Sequence, residues 1–328
     1  MKHIAKRLLK LSLFVVSLTV LLSCSKEAPI RTAEYAVQGV YSAVLSDDGS
    51  AAVIGSIQHG GSYWNTALNE RRYNWNHESG QYTPLISVDI DPSGGFAATG
   101  GARTLVLWDT STGQSAGFWT TPGDIRALKL TRNGNLALVG LDDQTARYFD
   151  VKKGGIIQTL RTGAVVRAVD VSPDATLGLT GDDNYKVILW DMRTGTKKYE
   201  WTLSNNIASV ALSADGKYAF GAAQLGTAKI WSTATGKEVT AIDTGSLESR
   251  NITIRQAVFS GDNRSILLGG INRRVSLVQV STGIVQKEWD LYLKDKGRPT
   301  GASVLALAFG VGDRYYAVGS NGYLNVLE

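Results

Sequence analysis

Few side chains in this sequence have the type and spacing to do chemistry. His59 and His77 are eighteen residues apart, and Glu78 follows the second. Two imidazoles and a carboxylate are metal-ligand types, but no third histidine joins them and the carboxylate spacing does not converge. They read as loop or packing residues, and no metal is assigned. Gly113-Gln114-Ser115-Ala116-Gly117 has the form of a serine nucleophile elbow. That motif needs a strand–turn–helix junction to expose its hydroxyl, and here it falls in a turn between strands. No phosphate-binding loop or zinc-protease motif occurs. No catalytic residue and no cofactor is therefore expected. Cations are grouped more densely. Arg250, Arg273, Arg274, Lys294, Lys296 and Arg298 follow one another late in the chain, with Glu248 and Asp295 as partial offsets.

The one cysteine, Cys24, has a different chemistry. Lys2, Lys6, Arg7 and Lys10 precede an uncharged apolar run over residues 11–22. Spanning a bilayer takes roughly 20 apolar residues, so the run has the length of a secretory signal rather than of a membrane span. It ends in Leu21-Leu22-Ser23-Cys24, which resembles the lipobox of bacterial lipoproteins. The resemblance implies cleavage before Cys24 and acylation of its thiol. Residues 1–23 then form a signal peptide and residues 24–29 a lipidated tether. Two or more acyl chains anchor a protein stably, where one does so only marginally. Ser25, in place of Asp, implies the outer membrane, facing the periplasm, if the host is Gram-negative.

Losing the signal segment removes four cations and leaves 30 basic and 29 acidic residues. A mature net charge of +1 gives no electrostatic footprint for nucleic acid, and none is expected as a partner. A single cysteine excludes an internal disulfide framework.

The elements that must position these residues are set by a repeat. Leu107-Trp108-Asp109-Thr110-Ser111-Thr112-Gly113 recurs as Tyr148 to Gly154, Leu189 to Gly195, Ile230 to Gly236 and, more weakly, Leu277 to Gly283. A first copy, Tyr63 to Asn69, has Asn in the Gly slot. Asn is the non-glycine residue that best tolerates positive φ, so a turn survives the exchange. The closing positions are 41 to 47 residues apart. Six residues beyond each lie Trp75, Trp119, Leu160, Trp201, Ile242 and Trp289, all large and apolar. Upstream of each copy, period-2 alternation ends in Asp, Pro or Gly, as in Ile86 to Ile90 before Asp91-Pro92-Ser93-Gly94. That is a strand-and-turn pattern, and a period near 40 is that of a propeller blade of four strands. The last unit supplies strands at 304–309, 315–319 and 323–327, one short of a blade. The segment 30–38 can provide the missing outer strand beside 324–327. The expectation is an all-β domain over residues 30–328: a seven-bladed β-propeller of four-stranded antiparallel blades, its ring closed by the amino-terminal strand.

The repeats resemble the WD40-repeat β-propeller family over essentially all of the mature chain. Trp108-Asp109 and Trp190-Asp191 carry the resemblance, with echoes at Phe149-Asp150, Trp64-Asn65 and Trp231-Ser232. Asp142/Asp143 and Asp182/Asp183 match the acidic turn of that family. The family's Gly-His dipeptide is missing from every unit, which predicts that its histidine-linked hydrogen-bond network does not form. Asp109-x-x-Thr112-Gly113 and Asp191-x-x-Thr194-Gly195, each followed by Trp, also look like the docking motif of quinoprotein-type propellers. One outer-membrane lipoprotein of that group is the eight-bladed propeller subunit of the β-barrel assembly machinery.

On the blade reading, His59 and His77 lie in loops of one face, together with long loops at 77–84, 243–251 and 291–302. The late cations approach the same face, since the last and first blades are neighbours. His59, His77, Arg250, Arg273, Arg274, Lys294, Lys296 and Arg298 are thus the candidate partner face, for an anionic peptide, protein or glycan surface. The resulting expectation is a monomeric, non-enzymatic, lipid-anchored scaffold for envelope proteins. A subunit of the barrel-assembly machinery and a glycan-binding module are the alternatives.

Overall fold

The repeated Asp-x-x-Thr-Gly segment is a turn because its own polar groups close it. Asp109 Oδ1 accepts the backbone N–H groups of Ser111 at 2.8 Å and Thr112 at 3.1 Å. Gly113 donates to the Asp109 carbonyl at 2.8 Å and sits at φ 73°. A Cβ at Gly113 would also collide with the Tyr73 ring of the preceding repeat. Asn69 takes the same slot at φ 53°.

A computed structural model describes residues 26–243, 252–295 and 301–328. The chain order starts with β1 (Arg31–Glu34). Blade 1 is β2 (Val40–Leu45), β3 (Ala51–Ser56), β4 (Gly60–Asn65) and β5 (Glu70–Trp75). Blade 2 is β6 (Ser87–Ile90), β7 (Phe96–Gly100), β8 (Thr104–Asp109) and β9 (Ser115–Thr120). Blade 3 is β10 (Ile125–Leu130), β11 (Leu136–Leu141), β12 (Thr145–Asp150) and β13 (Ile156–Arg161). Blade 4 is β14 (Val166–Val171), β15 (Leu177–Asp182), β16 (Lys186–Asp191) and β17 (Thr196–Thr202). Blade 5 is β18 (Ile207–Leu212), β19 (Tyr218–Ala223), β20 (Ala228–Ser232) and β21 (Glu238–Ile242). Blade 6 is β22 (Ile254–Phe259), β23 (Ser265–Gly270), β24 (Arg274–Gln279) and β25 (Val285–Asp290). Blade 7 is β26 (Val304–Phe309), β27 (Tyr315–Gly319) and β28 (Tyr323–Leu327), completed by β1.

Within blades 1 to 6 the strands, a to d from the axis outward, pair antiparallel in sequence order, and blade 7 takes β1 as its outer strand. First strands of successive blades touch around the axis, and β2 meets β26 where the ring closes. Closure follows the expected route. β1 runs antiparallel to β28, with Arg31 opposite Val326 and Glu34 opposite Tyr323. It covers an edge that would otherwise offer unpaired backbone groups to another chain.

The core lies between blades rather than within one centre. Seven apolar clusters are each shared by two neighbouring blades. A strand-d side chain reaches across each seam. Trp75 stacks on Trp108 at 5.1 Å and Trp201 on Trp231 at 4.6 Å, both with planes 10° apart. Each indole N–H finds a carbonyl in the next blade. Trp75 donates to Gly113 at 2.9 Å, Trp119 to Val151 at 3.0 Å, Trp201 to Gly236 at 2.9 Å and Trp289 to Glu328 at 3.0 Å. Such pairs contribute about 0.5–1.5 kcal/mol beyond their burial.

The seam between blades 7 and 1 uses Tyr35 in the same way. Its ring stacks on Trp64 at 4.2 Å with planes 8° apart, and its hydroxyl donates to Asn69 Oδ1 at 3.3 Å. Burial pushes this phenol up to about 12, so it remains a donor at any physiological pH.

Three inner strands carry charge where the other blades carry apolar residues. Lys129 Nζ is 2.9 Å from Asp89 Oδ1, and Asp89 Oδ2 accepts the Leu130 N–H at 2.7 Å. Asp170 Oδ2 accepts the Leu212 N–H at 2.6 Å. Burial pushes Asp89 up to about 6, with Lys129 and the Leu130 amide opposing it. Burial also works against the charge on Lys129, and the carboxylates of Asp89 and Asp170 outweigh it.

Candidate functional site

The b–c turns and d–a loops share one face, called here the upper face. His59 and His77 both lie on it, in the β3–β4 turn and the loop after β5, as their spacing implied. They have different environments. His59 is exposed and meets the edge of Tyr82 at 5.7 Å. His77 is drawn inward. Its Nε2 is 2.8 Å from Thr99 Oγ1 and its Nδ1 is 2.6 Å from Thr104 Oγ1. The Trp108 indole donates to the same Thr99 oxygen at 2.8 Å. Burial pulls the imidazole down to about 4, a shift that the Thr99 backbone contact opposes.

This chain of His77, Thr99 and Trp108 corrects one expectation. Without a Gly-His dipeptide the histidine-linked network was expected to be missing, yet blade 2 builds one. The residue before His77 is Asn76, so a dipeptide search passes over it. Geometry needs only an imidazole where the d–a loop crosses the b and c strands. Blade 4 keeps the tryptophan half, with Trp190 donating to Thr180 Oγ1 at 2.9 Å.

The late cations are placed on the upper side of blades 6 and 7, but each described one has a carboxylate beside it. Arg273 bonds Asp290 at 3.2 Å and the Leu291 carbonyl at 3.1 Å. Arg274 lies 3.7 Å from Glu288 and 3.9 Å from Asp290. Lys294 pairs with Glu34 at 3.0 Å. Arg250, Lys296, Arg298 and the lipidation candidate Cys24 fall outside the described residues. Among the described residues, the group is therefore a set of internal ion pairs, not a bare basic patch. Blade 7 lies between Arg273 and Arg274 of blade 6 and the histidines of blade 1, whereas Lys294 reaches the outer strand of blade 7 itself.

The upper face displays residues that composition alone did not single out. Arg103 pairs with Asp124 at 2.9 Å, Arg147 with Asp143 at 2.9 Å, and Arg167 grips Asp183 through two nitrogens at 2.8 to 3.0 Å. These pairs cover blades 2 to 4, and partly exposed ion pairs of this kind contribute about 0–1 kcal/mol each. Apolar side chains stand among them. Val37 is 75% exposed, Tyr82 62% and Leu225 60%, with Tyr41, Tyr185 and Tyr292 also open. Tyr185 and Leu225 occupy b–c turn tips at φ 65° and 46°. Left-handed backbone costs a side chain about 1–2 kcal/mol that glycine does not incur. Bulky residues held there, with their side chains in water, are placed against both stability and solubility.

The opposite face carries two polar clefts. One of about 310 Å³ is lined by Ser50, Tyr63, Asn65, Arg72 and Thr110. The other, of about 600 Å³, opens between Asp215, Lys217, Asp262 and Arg264. The aspartates there close their own turns, as Asp215 does by accepting from Ser213 Oγ at 2.9 Å and the Lys217 amide at 3.0 Å. Ser115, of the elbow-like motif, lies at the start of β9 after a strand-to-strand turn, not at a helix. No grouping of three or more metal-ligating side chains occurs among the described residues.

A family model described as WD domain, G-beta repeat matches residues 154–191. That stretch is β13 of blade 3 followed by β14, β15 and β16 of blade 4, so the sequence repeat straddles two blades. Among curated proteins, the chain is 26% identical over 129 residues to eukaryotic translation initiation factor 3 subunit I of Lodderomyces elongisporus, covering 34% of this chain and 37% of that one. It is 27% identical over 156 residues to autophagy-related protein 16 of Arabidopsis thaliana, covering 46% and 30%. It is 25% identical over 215 residues to guanine nucleotide-binding protein subunit beta of Zea mays, covering 60% and 54%. The matches span about a third to a half of these relatives. Repeat, seam and closure agree on one identity at the level of architecture: the chain is a seven-bladed β-propeller that carries a WD40 repeat.

Proposed function

We propose that this protein is a non-enzymatic scaffold, lipid-anchored through Cys24 in a bacterial envelope, which offers its upper face to protein partners. The observation that carries the reading is the pair Tyr185 and Leu225. Each keeps a large apolar side chain exposed on a left-handed turn tip. Aromatic and arginine side chains are the types enriched where proteins meet, and the upper face has both. The ring holds them preorganised, which lowers the entropy lost on binding. Two of the relatives above are named as subunits of larger assemblies, in keeping with an interaction role. The lipobox-like run ending at Cys24 supports the anchor.

The tryptophan-to-turn contacts, such as Trp75 to Gly113, favour a narrower reading. They use the residues that resemble the docking motif of quinoprotein-type propellers. This keeps a role beside the β-barrel assembly machinery as the second candidate, with the count of seven blades rather than eight standing against it.

The test separates fold from contact. Tyr185→Asn and Leu225→Gly each relieve left-handed strain, so each variant is expected to be more stable by about 1 kcal/mol. Both are expected to recover at least tenfold less partner from gently solubilised native membranes. Variants that are stabilised but recover the partner undiminished would overturn the upper face as the contact surface.

A further inference from the structure

The first described residues are not a loose tether. Glu27 lies beside Trp289 as a parallel bridge on the outer strand of blade 6. Its N–H donates to the Glu288 carbonyl at 3.0 Å, and its carbonyl accepts the Asp290 N–H at 3.2 Å. Its carboxylate is 3.1 Å from Lys287 Nζ. Three residues later, Ile30 N–H bonds the Val326 carbonyl at 2.9 Å and the chain enters β1 in blade 7. Arg31 then reaches the Thr66 carbonyl of blade 1 at 3.2 Å. The segment is tied in turn to blades 6, 7 and 1. Pro29, with its fixed φ, adds stiffness between the first two attachments.

Only Ser25 separates Cys24 from Lys26, the first described residue. Two residue steps cover at most about 7 Å. An acyl chain added to Cys24, as proposed, would be attached within that reach of Lys26, beside the outer rim of blades 6 and 7 where Glu27 is bound. Lys26 and Ile30, both exposed, are the first cation and the first large apolar residue that follow Cys24 in the chain.

We infer that the propeller sits on the membrane by the outer rim of blades 6 and 7, so that neither loop face is turned toward the bilayer. The inference rests on the proposed acylation of Cys24. The surface it names is a lipid surface, chosen by where the short chain between Cys24 and Glu27 must end. The upper face then points along the membrane plane, toward proteins that are themselves held in or on the same membrane.

Acylation consumes the only native thiol, so an introduced cysteine can be labelled alone. Val285→Cys on β25 and Ile157→Cys on β13 place a fluorophore at exposed outer-strand sites three blades apart. The full-length lipoprotein, purified from native membranes, would be reconstituted in phosphatidylethanolamine–phosphatidylglycerol vesicles with headgroup spin-labelled lipid. Mass spectrometry of the amino-terminal peptide reads acylation independently. The expected result is an acylated protein quenched at least twofold more at position 285 than at 157. A ten-residue Gly-Ser insertion after Ser25 should equalise the two sites without loss of acylation. An acylated protein with equal quenching at both sites would overturn the rim-down orientation while leaving the anchor intact. An unacylated peptide would overturn the anchor itself, and the orientation with it.

Discussion

At the residue scale, His77 shows how a side chain with catalytic potential is committed to structure. Both ring nitrogens face threonine hydroxyls, and burial holds the imidazole at about 4. An unfolded histidine titrates near 6.5. Between these values the unfolded chain takes up a proton that the folded chain refuses. The stability contributed by neutral His77 is therefore complete above pH 6.5 and is lost as pH falls toward 4. NMR of the ring should find His77 unprotonated at pH 5.5, and a titration centred near 6.5 would contradict the network. His77→Ala should cost about 1–3 kcal/mol in denaturant unfolding, the usual range for stranding a buried hydrogen-bonding group. From sequence this residue could be placed on the correct face but not given its role. Its loop position follows from repeat counting, whereas its inward turn depends on Thr99 and Thr104, which come from two other strands.

At the scale of elements, the seams decide stability. Tyr35 closes the ring with the stack and hydrogen bond that tryptophans supply elsewhere. Tyr35→Ala should cost about 3–5 kcal/mol, as other large aromatic truncations in cores do. The effect should be local. Amide exchange is expected to accelerate first in β1, β28 and β2, ahead of blades 3 to 5, because the ring opens at its non-covalent join. Uniform acceleration round the ring would contradict a special role for this seam.

The seven blades, their strand order and the closing strand were legible in the sequence because turn chemistry recurs at a fixed period. Tyr35 was not, because the six-residue offset is counted from a c–d turn and blade 7 has none. The same limit hid the pairing of Arg273, Arg274 and Lys294. Their partners Asp290, Glu288 and Glu34 lie on outer strands, two of them across a turn and one at the far end of the chain. Asp89, Lys129 and Asp170 did leave a trace, as charges at one repeat position that is apolar in the remaining blades. Reading it requires the blades to be stacked about a common axis.

At the scale of the molecule, a closed ring with exposed tyrosines and ion-paired arginines on one face suits the platform role proposed above. Anchoring would raise the effective concentration of the face toward partners on the same membrane, and the rim-down orientation would aim it at them. The most direct test is site-specific photo-crosslinking in intact native cells. One crosslinker replaces Leu225 on the upper face, and another replaces Val311 in the β26–β27 turn of the opposite face. Both sites are well exposed, at 60% and 87%. The account predicts a discrete protein adduct from position 225 and none from 311. An adduct from 311 alone, or none from either, would contradict it.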